Sequence, residues 1–77
     1  MIIQSIKSKL MAILKVIEVL SSSDKSWEDA AQQGLSKASK SVKHIKSAYV
    51  QNQSVTTTDN GKIKEFRVNL KISFEVE

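Results

Sequence analysis

Few side chains in this sequence could do covalent chemistry. There is no cysteine and a single histidine, His44. A Cys-ligated zinc site is therefore impossible, and one imidazole cannot build a His-rich metal centre. No nucleophile stands with a base and a third group to orient it, so the residues argue against an enzyme. Glu18, Asp59, Glu75 and Glu77 are oxygen ligands of the type that hard cations such as Ca²⁺ take. They are scattered, read first as solvated surface groups, and would form a site only where several copies converge on a symmetry axis. His44, near a helix end, reads as a partner for the helix C-terminus rather than a ligand. The two glycines, Gly34 and Gly61, are accounted for by helix packing and a turn, which leaves no phosphate-cradling loop. What remains is non-covalent binding, and the polar-tipped aromatic rings Trp27 and Tyr49 are the groups that could offer a flat surface.

The 77-residue chain that must position these groups is one small domain. A chain of this size buries only about 60% of the surface its unfolded form exposes. Small scaffolds are usually stapled by disulfides, metal or self-association. Without cysteine, self-association is the expected staple. The net charge of +4 is mild and its lysines are spread along the chain, unlike the clustered basic and aromatic surface of a nucleic-acid binder. No apolar run approaches the ~20 residues of a membrane span. The partners expected are therefore other copies of the chain and a small molecule, with neither nucleic acid nor membrane.

Residues 1–10, MIIQSIKSKL, read as an extension outside the domain, disordered or translated from an upstream start. A short amphipathic helix carrying Ile3, Ile6 and Leu10 is the other reading. No A-x-A-like cleavage site follows, so a secretory signal is not expected and a cytoplasmic location is. Met11 opens the domain proper, residues 11–77.

Ala12 to Leu20 is rich in β-branched residues and apolar on both faces, which predicts a strand covered twice, once by its own domain and once by a neighbouring subunit. After the polar loop SSSDK, Ser26 is a good N-cap and Asp29 takes the capping-box position. Glu28 and Asp29 suit the positive end of the helix dipole. From Trp27 the small and apolar residues Ala30, Ala31, Gly34, Leu35, Ala38, Val42 and Ile45 recur at helical spacing. A second strand is predicted over residues 46–57. Asn60-Gly61 is the strongest short hairpin signal, so the second and third strands should pair antiparallel. In the third, Phe66, Val68, Leu70, Ile72, Phe74 and Val76 alternate strictly with polar residues, placing one face in a core and the other in water or a wet interface. The predicted fold is α+β, βαββ in order, with a three-stranded antiparallel sheet curled around one helix.

The stretches KVIEVLSSSDKSWEDAAQQGLSKASKSVKHIKSAYV and DNGKIKEFRVNLKISFEVE resemble the dodecins. The most specific pieces are KVIEV leading to an S-W-E-x-A helix start, and G-K-I-x-E-F-R-V-x-L-K-I-S-F near the C-terminus. The match covers nearly everything after Met11, where dodecin chains typically begin. It implies a βαββ fold assembled as twelve copies into a hollow shell, binding flavins in pairs between subunits. Riboflavin, FMN or lumichrome would be stored there and their photochemistry quenched, without turnover.

At two positions the sequence departs from that pattern. Flavin-binding dodecins carry a tryptophan near the start of the second strand, whose indole stacks on the isoalloxazine ring. Ser47 holds that place here, and serine has no π-face. Stacking on an aromatic is worth roughly 1–3 kcal/mol by analogy with nucleobases, so its loss corresponds to about tenfold to over a hundredfold in affinity. The glutamine that bonds the polar edge of the flavin is replaced by Arg67, which donates hydrogen bonds but cannot accept them. Trp27 is at the helix start and is expected to pack rather than stack on ligand. Tyr49, on the same strand face as Ser47, is the substitute platform. The expected cofactor site is thus Ser47, Tyr49 and Arg67 with a riboflavin or FMN ligand. The competing expectation is a shell that does not hold flavin appreciably and serves as a scaffold, or stores another small ligand or ion.

Overall fold

The computed structural model describes residues 13–76. The expected extension at 1–10, Met11, Ala12 and Glu77 lie outside the described residues. Strand β1 (Ile13–Ser23) is followed by helix α1 (Trp27–Ser41) and strands β2 (Ile45–Thr57) and β3 (Ile63–Val76). All pairing is antiparallel, in the spatial order β1-β3-β2. This is the α+β, βαββ fold expected from the residue pattern. The strand with the strictest alternation, β3, is the central one.

The helix lies on one face of the sheet. Val68, Leu70 and Ile72 of β3 and Ala30 of α1 are each at most 1% exposed, and Ile17, Val19, Leu35 and Ala38 pack around them. Gly34 sets how close the helix can come: a Cβ there would stand 3.0 Å from Leu70 Cδ1 and 3.1 Å from Ser21 Cβ. A methyl group there would force Leu70 and Ser21 to give by a few tenths of an ångström. Register shifts between Ile45 and Ser47, Val50 and Asn52, and Thr56 and Thr57 interrupt the β2–β3 ladder. Such irregularities bend and twist a strand, which lets the sheet curl around the helix.

Three sequence expectations change in detail. β1 runs past Leu20 through the serines of the presumed loop, because Ser21, Ser22 and Ser23 continue the ladder opposite Val68, Arg67 and Phe66. β3 begins three residues early, at Ile63. Conversely, Val42 and Ile45 belong to no helical stripe. Val42 is the extended C-cap, its N–H donating to Ala38 O at 2.9 Å. His44 then takes φ 63, uncommon for a residue with a Cβ, its carbonyl accepts from Glu75 N at 3.0 Å, and Ile45 enters β2 opposite Phe74.

The helix start is tied to the end of β1 through side chains. Ser26 Oγ accepts from Asp29 N at 2.9 Å, as an N-cap does. The reciprocal half of a capping box is absent, since the Asp29 carboxylate is engaged elsewhere. It accepts from Ser23 Oγ and from Gln33 Nε2, each at 2.6 Å. Ser23, only 7% exposed, also accepts from Lys25 N at 2.9 Å. The Ser23 hydrogen bond, then that of Gln33, hold the Asp29 carboxyl below its ordinary value; burial opposes them, and the charge of Lys25 adds a lesser lowering. A depressed carboxyl pKa contributes stability that is present above the unfolded value of 3.8 and is lost as pH falls through the folded value. Asp29→Asn is therefore expected to lower the unfolding midpoint at neutral pH, with the gap to wild type closing in acid below 3.8. Chemical denaturation across that range measures it, and a gap independent of pH would contradict the assignment.

Candidate functional site

Antiparallel pairing puts directly opposed residues on one face. The face away from the helix therefore carries Leu14, Val16, Glu18, Leu20 and Ser22 from β1, with Glu75, Ser73, Lys71, Asn69 and Arg67 opposite them on β3. From β2 it carries Ser47, Tyr49, Asn52 and Ser54, opposite Ser73, Lys71, Asn69 and Arg67. No described element covers this face. Leu14, Val16 and Leu20 are 55–58% exposed and Tyr49 is 66% exposed. The twice-covered β1 of the sequence reading thus has one cover within the chain and one apolar face open.

All three candidate residues lie on this open face, but not together. The Ser47 and Ser73 hydroxyls are bonded at 2.6 Å, and Ser73 Oγ also approaches Ser47 O at 3.4 Å. A pair of hydroxyls thus occupies the position at which the resemblance expects a stacking indole. Tyr49 sits one pair along, opposite Lys71, which is itself opposite Glu18. Arg67 is four residues further on β3, about 13 Å at roughly 3.3 Å per residue. Two hollows of about 410 and about 480 Å³ adjoin the helix, and none of the three candidate residues lines either. A single copy presents parts of a site without enclosing one.

Arg67 is polar and incompletely paired. Its Nε lies 3.8 Å from Glu65 Oε1, near enough for attraction between charges and too far for a hydrogen bond. The Nε atom is buried and has no hydrogen-bond acceptor among the described residues, although the side chain as a whole is 43% exposed. Glu65 Oε1 meanwhile accepts from Thr56 Oγ1 at 3.3 Å. The exposed remainder of the guanidinium, not the buried Nε, is the part open to an incoming carbonyl or phosphate oxygen. Ser73, Lys71 and Glu65 are site neighbours that residue types alone did not single out. Counting outward from the Asn60-Gly61 turn would have found the first two.

Trp27 has a structural place. Its Nε1 donates to Ser54 O at 3.0 Å, and its ring meets Phe66 edge-on, with centroids 5.1 Å apart and planes at 78°. It pins the helix start to β2 and β3 from the helix side of the sheet, opposite the candidate residues. Among the described residues no three His, Asp or Glu side chains converge as metal ligands, and no helix is long and apolar enough to cross a membrane. Glu77, one of the carboxylates considered from sequence, lies outside the described residues.

A family model described as Dodecin matches residues 13–77. The calcium dodecin of Mycobacterium tuberculosis is 36% identical over 66 residues, spanning 86% of this chain and 92% of the relative. A crystal structure of a calcium dodecin from the same organism aligns with TM-score 0.74 at 35% identity, over 84% of this chain and 91% of that one. A variant of the Thermus thermophilus dodecin aligns with TM-score 0.79 at 29% identity, over 86% and 97% of the two chains. The Streptomyces coelicolor dodecin shares the fold, with TM-score 0.81 at 23% identity over 86% and 93%.

If Trp27 is a packing residue, Trp27→Phe loses the bond to Ser54 and the part of the ring that phenyl lacks, while keeping an aromatic contact with Phe66. The expected cost is about 1 kcal/mol of stability, read from denaturant midpoints, with no change in the binding of any ligand held on the opposite face. A change in ligand affinity at unchanged stability would contradict this placement.

Proposed function

The chain belongs to the dodecin family, and from that premise we propose that it is a non-catalytic shell of twelve copies that sequesters riboflavin or FMN with reduced affinity, between copies. One observation carries the reading: Ser47, Tyr49 and Arg67 share the one sheet face that the helix leaves open, beside Leu14, Val16 and Leu20. A second copy laid on that face would remove apolar surface from water at about 25 cal/mol per Å². The same contact would enclose the polar groups between the copies. Bound flavin would supply a flat aromatic ring with a polar edge. Tyr49 offers that ring a plane, and the exposed part of the Arg67 guanidinium offers its edge donors. A ligand enclosed between copies can take these two separated groups from different copies. The Ser47–Ser73 hydroxyl pair provides no stacking surface, which is the source of the reduced affinity.

A second reading is supported by the 36% identical relative being a calcium dodecin. In it the shell holds a cation, with Glu18, Asp59 or Glu75 from several copies supplying oxygen ligands. Flavin is then absent because the hydroxyl pair has replaced the stacking ring.

Titration of riboflavin and of FMN into the purified protein, followed by flavin fluorescence, separates the readings when calcium is titrated calorimetrically into the same sample. Quenching that saturates supports sequestration. No quenching, together with a calcium heat, supports the cation shell. Ser47→Trp restores a stacking surface and should tighten flavin binding by roughly tenfold to a hundredfold. An unchanged affinity would remove Ser47 from the pocket.

A further inference from the structure

We propose that the Asn60-Gly61 bond is a latent site of spontaneous deamidation, held closed by Thr58. The inference concerns the β2–β3 turn and does not depend on what the shell binds.

An asparagine followed by glycine is chemically labile because no side chain hinders attack by the glycine nitrogen on the asparagine Cγ. Three asparagines occur in the described residues. Asn52 and Asn69 lie within strands and precede Gln53 and Leu70, whereas Asn60 is exposed in a turn and precedes Gly61. Nothing lies within 4 Å of where a Gly61 Cβ would be, so water reaches the site. Gly61 has φ 85, the left-handed conformation that glycine adopts without strain.

Both reacting groups are tethered to one residue. Gly61 N, the attacking atom, donates its hydrogen to Thr58 O at 3.0 Å. Asn60 Oδ1 accepts from Thr58 Oγ1 at 2.7 Å, which holds the carboxamide over the turn. Thr58 is itself fixed to the far side of the hairpin: its N–H donates to Lys62 O at 2.8 Å, and its Oγ1 accepts from Lys62 N at 3.2 Å. For reaction the Gly61 N–H must be released and the Asn60 side chain must swing over it. The bonds to Thr58 have to open first, in a solvent-exposed turn at the low end of local stability.

In the reaction the Gly61 N–Asn60 Cγ bond forms and the Cγ–Nδ2 bond breaks. The proton from Gly61 N passes through water to the departing nitrogen, which leaves as ammonia. Water then opens the resulting succinimide at either carbonyl, giving aspartate or isoaspartate at position 60. Water enters, ammonia leaves, and no oxidant or reductant is required. The product places a new negative charge beside Asp59. In the isoaspartate form it also adds a methylene to the main chain close to the Thr57–Ile63 pair, where the β2–β3 register begins.

The full chain is incubated in mildly alkaline buffer, folded and in urea, and the amide-to-acid mass gain is followed by peptide mass spectrometry. Conversion should be confined to position 60 and be slower in the folded protein by roughly tenfold or more, as expected for breaking more than one neutral hydrogen bond. Thr58→Val should speed the folded-state reaction severalfold. Thr58→Ser, which keeps the hydroxyl, should retain the native rate. Equal rates in folded and urea-unfolded chains would overturn the proposal whether or not the valine variant folds. So would a folded Thr58→Val protein reacting at the native rate, or conversion at Asn52 or Asn69 instead.

Discussion

One helix can cover one face of a three-stranded sheet. That constraint governs this protein. Among the described residues, the fully buried apolar ones are Val68, Leu70 and Ile72 on the sheet face turned toward α1, and Ala30 on the helix that meets them. The other face shows Leu14, Val16, Leu20 and Tyr49 to solvent. Four buried apolar residues among those described make a small core even for a domain of this length, and scaffolds of this size commonly use a staple. No cysteine is present to form a disulfide. The apolar content needed to stabilise the domain is encoded, but part of it lies on the side that no described element covers.

The same division sorts the aromatic residues into roles. Trp27, which has the largest ring, is on the helix side, where it locks the helix entry to β2 by a hydrogen bond and to β3 by an edge-on contact. Tyr49 and Arg67 are on the open side, among groups whose partners are incomplete within one copy. Ser47 spends its hydroxyl on Ser73 across the ladder. In the proposed reading, Tyr49 replaces the stacking plane that the resemblance puts at Ser47, and Arg67 stands where it puts the glutamine.

Much of the fold was legible because the strongest signals were local. Strict alternation from Phe66 to Val76 marked the central strand, Ser26 marked the helix start, and Asn60-Gly61 fixed the hairpin. The register shifts within β2–β3 could not be read from sequence, yet they offset one another: Thr57 faces Ile63 and Ser47 still faces Ser73, as an uninterrupted ladder would give. The serines Ser21 to Ser23 look like loop by composition, and only pairing with β3 makes them strand. Ile45 fitted a helical spacing by coincidence, because a turn through His44 intervenes. For the site, the shared face of Ser47, Tyr49 and Arg67 follows from strand periodicity. Their separation along β3, and the orphaned Arg67 Nε, depend on register and side-chain placement, which residue types do not encode.

The central claim is that the open sheet face is completed by further copies of the chain. Sedimentation velocity at micromolar concentration, with circular dichroism on the same sample, tests it most directly. The account predicts a folded protein sedimenting as one closed homo-oligomer, with the mass of twelve chains, and no folded monomer. A well-folded, monodisperse monomer would contradict it, because Leu14, Val16 and Leu20 would then be stable in water without a partner.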